Sequence, residues 1–199
     1  MDKSSSNRRR FSRPLGKRGY RKLVIISSEG AITEPGYFGI FNTTRSVIKV
    51  KCVKKKNASS PREVLARLDK YLRQNGLRNT DEAWLVVDKD KWNDGQLNLL
   101  YDWSQLKENY GLAVSNPKFE YWLLLHFEDG SGVSSARECS TRLRRYLHDY
   151  DKVLDPRRFT REMIQDAIMR ARSRDIPPCD DWPRNTGTTV YRLTEKLMG

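Results

Sequence analysis

The sequence predicts an α/β protein: a mostly parallel sheet flanked by helices, with a helical C-terminal appendage. Three observations predict it. Four short strand-like runs, "KLVII", "SVIKVKCV", "AWLVV" and "GLAVS", alternate with segments of helical character. Two of them, Leu23–Ser27 and "AWLVV", are continuously apolar, as in strands buried on both faces. Alternation of this kind builds a parallel sheet covered by helices. From Gly130 onward the strand signal gives way to basic helical segments.

Taken in order, the first strand ends in a glycine-containing turn, "SSEGAITEPGYF". Thr33 is placed to cap a helix carrying Phe38, Ile40 and Phe41. "SVIKVKCV" alternates and is β-branched, which makes it the second strand. In "SSPREVLARLDKYLRQNG", Ser60 is an N-cap, Pro61 stands at N1, Glu63 completes a capping box and Gly76 ends the helix. Its buried stripe is Val64, Leu65, Leu68, Tyr71 and Leu72. "AWLVV" runs straight into "DKD", and 95–109 reads as helix. After "GLAVS", the stretch "NPKFEYWLLLHF" begins a helix, with Asn116 as cap and Pro117 at N1. Helical segments follow at 137–150 and 160–174, then the proline-rich "RDIPPCDDWPRNTGTT" and a closing helix, "TVYRLTEKLM".

This divides the chain into a basic N-terminal arm (1–20), an α/β core (21–128) and a helical C-terminal extension packed on the core (129–199). The formal net charge is +13 and the pI about 9.8. Residues 1–22 hold nine basic groups against one acid. An arm so polar cannot offset its own ordering entropy. It is either a solubilising tail or a segment that settles on phosphates and releases counterions. Arg8, Arg9 and Arg10 are its candidate contacts, with Arg144 and Arg145 in "RLRRYLHDYDK" as a second basic track. No run of about 18 apolar residues exists, and the N-terminus lacks the apolar core of a secretory signal. Cys52, Cys139 and Cys179 are scattered and odd in number, which suits a reducing compartment; the expected location is the cytoplasm.

In a parallel α/β sheet, ligands bind beyond the carboxyl ends of the strands. Glu29 leaves the first strand there, Asp88 and Asp90 the third, and Asn116 the fourth, with Glu120 one turn further along. Clustered carboxylates repel one another, and a hard divalent cation relieves that repulsion. Mg²⁺ keeps waters and needs few carboxylates when a phosphate supplies further oxygens. It also activates water and stabilises phosphoryl transfer. The competing reading makes these acids caps and loop groups; Glu29 together with the pair favours a metal site.

The blocks "SSEGAITEPGYF", "VVDKD" and "SNPKFEYWLLLHF" resemble the RloB-like proteins, a prokaryotic family associated with restriction loci and abortive-infection (AbiL-type) systems. Smaller matches lie at Ala171–Arg172 and in "TTVYRL", so the resemblance runs from about Arg21 to Leu197. The family is similar to TOPRIM domains, in which a Glu before a Gly follows strand one and a DxD follows strand three. The resemblance implies a TOPRIM-like sheet and assigns Glu29, Asp88 and Asp90 as ligands of Mg²⁺ (or Mn²⁺). It departs from the longer DxDxG pattern, because Lys91-Trp92 stands where a glycine is often found. Glu34, Asn116 and Glu120 match the RloB-like pattern rather than TOPRIM domains in general. The implied activity is a metal-dependent endonuclease acting on DNA or RNA in anti-phage defence. The implied partners are nucleic acid and an AAA- or ABC-type ATPase encoded nearby; homo-oligomerisation stays open. The alternatives are a non-catalytic nucleic-acid-binding subunit of an ATPase-containing complex and primase-like nucleotidyl transfer.

Glu120 is the candidate for a further ligand or water-orienting base, against simple favourability near a helix N-terminus. Glu34 either serves the first helical turn or reaches the metal site. Lys89, Lys91 and Lys118 flank the acidic edge as candidate phosphate or transition-state contacts, or as solvated lysines. His126 lies six residues after Glu120, about 120° away around a helix, and reads as a core histidine rather than a proton shuttle. Phe119, Tyr121, Trp122 and Phe127 read as core, with base stacking the minor alternative.

Overall fold

The computed structural model describes residues 22–44, 46–54, 60–89 and 92–199. The basic arm with Arg8, Arg9 and Arg10, and the pair Asp90 and Lys91, lie outside the described residues. The element order is β1 (Lys22–Ser28), α1 (Thr33–Gly39), β2 (Ile48–Cys52), α2 (Pro61–Asn75), β3 (Glu82–Asp88), α3 (Asp94–Ser104), β4 (Tyr110–Asn116) and α4 (Phe119–Leu124). It continues with α5 (Ala136–Tyr146), a 3-10 turn (Pro156–Arg158), α6 (Arg161–Arg174), β5 (Gly187–Thr188) and α7 (Val190–Met198).

The sheet order is β2-β1-β3-β4-β5. β1 pairs in parallel with β2 and β3, and β3 with β4, while β5 runs antiparallel to β4. The fold is therefore α/β with a mostly parallel sheet flanked by helices, as the alternation implies. Residues of the last 71 supply β5, and α7 follows it against β4, through Thr189 N–H to Val114 O (2.9 Å).

Strand periodicity sorts the core onto two faces. Ile25, Ala83, Leu85, Val87, Leu112 and Val114 pack with Val64 and Leu68 of α2 and Leu97 and Leu100 of α3. Leu65, Tyr71 and Leu72 border this cluster half-buried, completing the α2 stripe. Val24, Ile26, Trp84, Val86 and Ala113 face the other way, toward α1 and α4–α7. Both faces being covered explains why β1 and β3 read as unbroken apolar runs. The α2 capping box forms as its sequence dictates: Ser60 Oγ accepts from Glu63 N–H and Glu63 returns to the Ser60 N–H.

Two helix starts differ from the sequence expectation. The N-cap of α1 is Ile32, with no side-chain cap, and Thr33 is the first helical residue. Its hydroxyl instead donates to the Lys152 carbonyl (3.1 Å), a partner more than a hundred residues away. Likewise α4 begins at Phe119 after Lys118, so Asn116 is the last residue of β4 and caps nothing. The Asn116 amide donates to the carbonyls of Pro183 (3.0 Å) and Arg184 (3.1 Å), tying the end of β4 to the segment before β5.

Candidate metal and phosphate site

The strand order reverses direction between β1 and β3, since β2 lies to one side of β1 and β4 beyond β3. Connections leaving two neighbouring strands in opposite directions open a crevice at their carboxyl ends. Glu29 follows β1 and Asp88 closes β3, so both acids stand at that crevice. They are in register across it: Glu29 N–H donates to Val86 O (2.9 Å), and Asp88 N–H donates to Glu29 Oε2 (3.3 Å). Trp92 Nε1 donates to the same oxygen (3.1 Å), which fixes the direction of the Glu29 carboxylate.

Two further acids close the ring. Glu34, in the first turn of α1, is buried, and its Oε1 accepts the Gly30 N–H (2.8 Å). Glu120 enters from the first turn of α4, where its Oε1 accepts from the Tyr150 hydroxyl (3.2 Å). Asp88 Oδ1 accepts the Phe119 N–H (2.8 Å), which ties β3 to the same helix start. Glu29, Glu34, Asp88 and Glu120 line one cavity of about 490 Å³ with Lys118 and Lys152 at its wall. Lys118 Nζ lies 3.9 Å from Glu120 Oε2 and donates to Ser140 Oγ.

The electrostatics follow from the crowding. Burial, then the charges of Glu34, Glu29 and Glu120, holds the Asp88 carboxyl well above the usual range. Burial also raises Glu34; the Gly30 N–H opposes this, and Glu120 and Glu29 add to it. Negative charge is thus costly at this spot unless a cation shares it. The donors are all oxygens, the chemistry that suits a hard divalent ion. Among the described residues, no three acidic, histidine or cysteine side chains stand close enough to hold one ion as a ready group. An ion that keeps several waters needs only one or two carboxylates directly, so the residues present fit Mg²⁺ or Mn²⁺.

Of the candidates, Glu29, Glu34, Asp88, Glu120 and Lys118 come together. Lys89 pairs with Asp94 of α3 (2.9 Å). Asn116 is committed to the carbonyls before β5. Arg144 and Arg145 are exposed in the last turn of α5. His126 is buried: Nδ1 faces the carbonyls of Trp122 (3.0 Å) and Leu123 (3.2 Å), and Nε2 meets the Tyr37 hydroxyl (3.1 Å). Burial lowers it to about 4, so it is a neutral core imidazole among Tyr37, Trp122 and Phe159. Tyr121, Trp122 and Phe119 are buried too, which leaves them no face for a base. Sequence reasoning missed Thr33 as a contact, Trp92, Tyr150 and Lys152. The last two come from a loop about 60 residues beyond β3, with no local signal.

A protein-family model described as "RloB-like protein" matches residues 24–197. The chain belongs to the RloB-like family. Membership associates it with restriction loci and a defence-type role. The match reaches from β1 into α7, so β5 and the Tyr150–Lys152 loop belong to the family unit along with the strand ends. No curated protein and no solved structure compared with the chain gives a match. No helix among the described residues is long and apolar enough to cross a membrane.

Proposed function

We propose that this RloB-like protein is a metal-dependent nuclease of TOPRIM type that hydrolyses DNA or RNA phosphodiesters in anti-phage defence, working with an ATPase encoded nearby. One observation carries the reading: four carboxylates from β1, α1, β3 and α4 converge with two lysines on a single cavity at the switch point of the sheet. Acids alone would make a site for a cation. Acids faced by lysines suit a cation together with an anion such as a phosphodiester.

When bound, Mg²⁺ or Mn²⁺ supplies charge neutralisation and water activation for phosphoryl transfer. Glu29 and Asp88 would hold it, with Asp90 as the remaining ligand that the family resemblance assigns. Trp92 and the Asp88 N–H orient Glu29, and the Phe119 N–H orients Asp88. Tyr150 holds Glu120 at the cavity wall, where a carboxylate can take the proton of an attacking water. Lys118 stands beside Glu120 and would meet the charge growing on phosphoryl oxygen.

The test is cutting of DNA and of RNA by the purified chain with Mg²⁺ or Mn²⁺, alone and with its neighbouring ATPase. Asp88→Asn should abolish cutting while the protein stays folded. Nucleic acid held but never cut, with toxicity in cells retained by a Glu29→Ala/Asp88→Ala variant, would replace the nuclease with a binding subunit. Nucleotide incorporation into a primer would replace it with nucleotidyl transfer.

A further inference from the structure

The loop between α5 and the 3-10 turn reaches back over the cavity and is stapled there by two of its residues. Tyr150 contacts Thr33 Oγ1 (3.1 Å) and donates to Glu120, and the Lys152 carbonyl accepts from Thr33 Oγ1. Lys152 has φ +66, the one positive φ of a non-glycine among the described residues. The left-handed region crowds a Cβ against the backbone, so glycine or asparagine is the usual occupant. A lysine here is held at some cost, and the residue lines the acidic cavity while staying exposed to solvent.

Its ammonium group distinguishes it from the other lysines nearby. Lys118 lies 3.9 Å from Glu120 and donates to Ser140, and Lys89 pairs with Asp94. Lys152 makes no ion pair with another described residue, although four carboxylates share its cavity. Its ammonium is therefore not committed by contact to any one of those acids. We propose that Lys152 is a substrate-binding residue of this site, contacting a backbone phosphate beside the scissile one. This rests on the reading of the cavity as a phosphodiester site and adds a substrate-binding residue to it.

The backbone itself supplies a clean variant. Lys152→Gly suits φ +66, so it should unfold at the same temperature as the parent or higher. Binding of a fluorescein-labelled single-stranded oligonucleotide by the full chain is measured across a salt series, in EDTA and in Ca²⁺. Lys152→Gly should weaken binding about fivefold and lessen the log Kd–log salt slope by about 0.7, the share of one phosphate. Lys152→Arg should restore both. Cleavage in Mg²⁺ is scored separately. A parent chain that cuts nothing, with Lys152→Gly still weakening binding, sinks the nuclease reading and leaves this one standing. Unchanged affinity and slope in a folded Lys152→Gly, or a parent that binds no oligonucleotide, overturns it.

Discussion

Gly30 is required by what lies against it. A Cβ built there would stand 1.9 Å from Glu34 Oε2 and 2.6 Å from its Cδ. In Gly30→Ala the buried Glu34 carboxylate must move away, and it then loses the Gly30 N–H (2.8 Å). A hydrogen bond to a charged group is worth about 1.5–3 kcal/mol. Part of that returns when the carboxylate swings into the adjacent cavity and regains water, so the expected loss is about 2 kcal/mol. For a chain of this size that is about 4–8 °C in thermal midpoint. Far-UV circular dichroism melts of four proteins decide it: parent, Gly30→Ala, Glu34→Ala and the double variant. The clash and the lost bond both belong to Glu34, so Gly30→Ala should cost little in the Glu34→Ala background, a coupling of about 1–2 kcal/mol. Equal costs in the two backgrounds would refute the argument and return Gly30 to a purely backbone role.

Three other outcomes follow from the geometry. Without metal, Asp88→Asn should raise the melting temperature at pH 7, because it removes a crowded charge and keeps an acceptor for the Phe119 N–H. The folded carboxyl is raised, so the native state holds its proton longer, and parent stability falls as pH climbs from about 4; the Asn advantage should therefore vanish near pH 4. His126 has the opposite sign: lowered to about 4 by burial, it contributes stability that is present above 6.5 and lost as pH falls to about 4, worth about 3 kcal/mol in all. Its imidazole C–H signals in NMR should stay put between pH 8 and 5, and a midpoint above 6 would contradict this. Asn116→Ala should cost about 1–2 kcal/mol for two lost hydrogen bonds; hydrogen exchange should quicken at 183–188 and not at 119–122, whereas a cap would show the reverse.

What the sequence made legible was local or periodic. The α2 capping box needs only residues three apart, and it formed as read. The apolar runs of β1 and β3 reported burial on both faces, and burial is a property that each strand carries in its own composition. β5 escaped because two residues, Gly187 and Thr188, form no periodic signal. Thr33 and Asn116 were misjudged for a shared reason. Both are residues that cap helices by default, and each instead meets a backbone carbonyl supplied by the C-terminal half. A side chain's local preference yields when folding delivers a distant partner that would otherwise be left unsatisfied.

The same contrast runs through the site. Parallel topology alone brings Glu29 and Asp88 to one edge, and the sequence carries enough periodicity to infer that topology. Glu34 was undecided between helix dipole and cavity because both are true of it: it sits in the first turn of α1, and its carboxylate is folded back under Gly30. Tyr150 and Lys152 could not be read from sequence at all. Their placement depends on a loop crossing back from α5 to α1, and only the contacts of Thr33 and Glu120 show that crossing. The strand ends set where the acids gather, and the C-terminal half sets what faces them. A chain truncated after α4 would keep all four carboxylates while losing Tyr150, Lys152 and the strand that Asn116 anchors. The C-terminal half is therefore part of the cavity, because it adds Lys152 to an acidic edge that Lys118 alone would otherwise face and braces Glu120 through Tyr150.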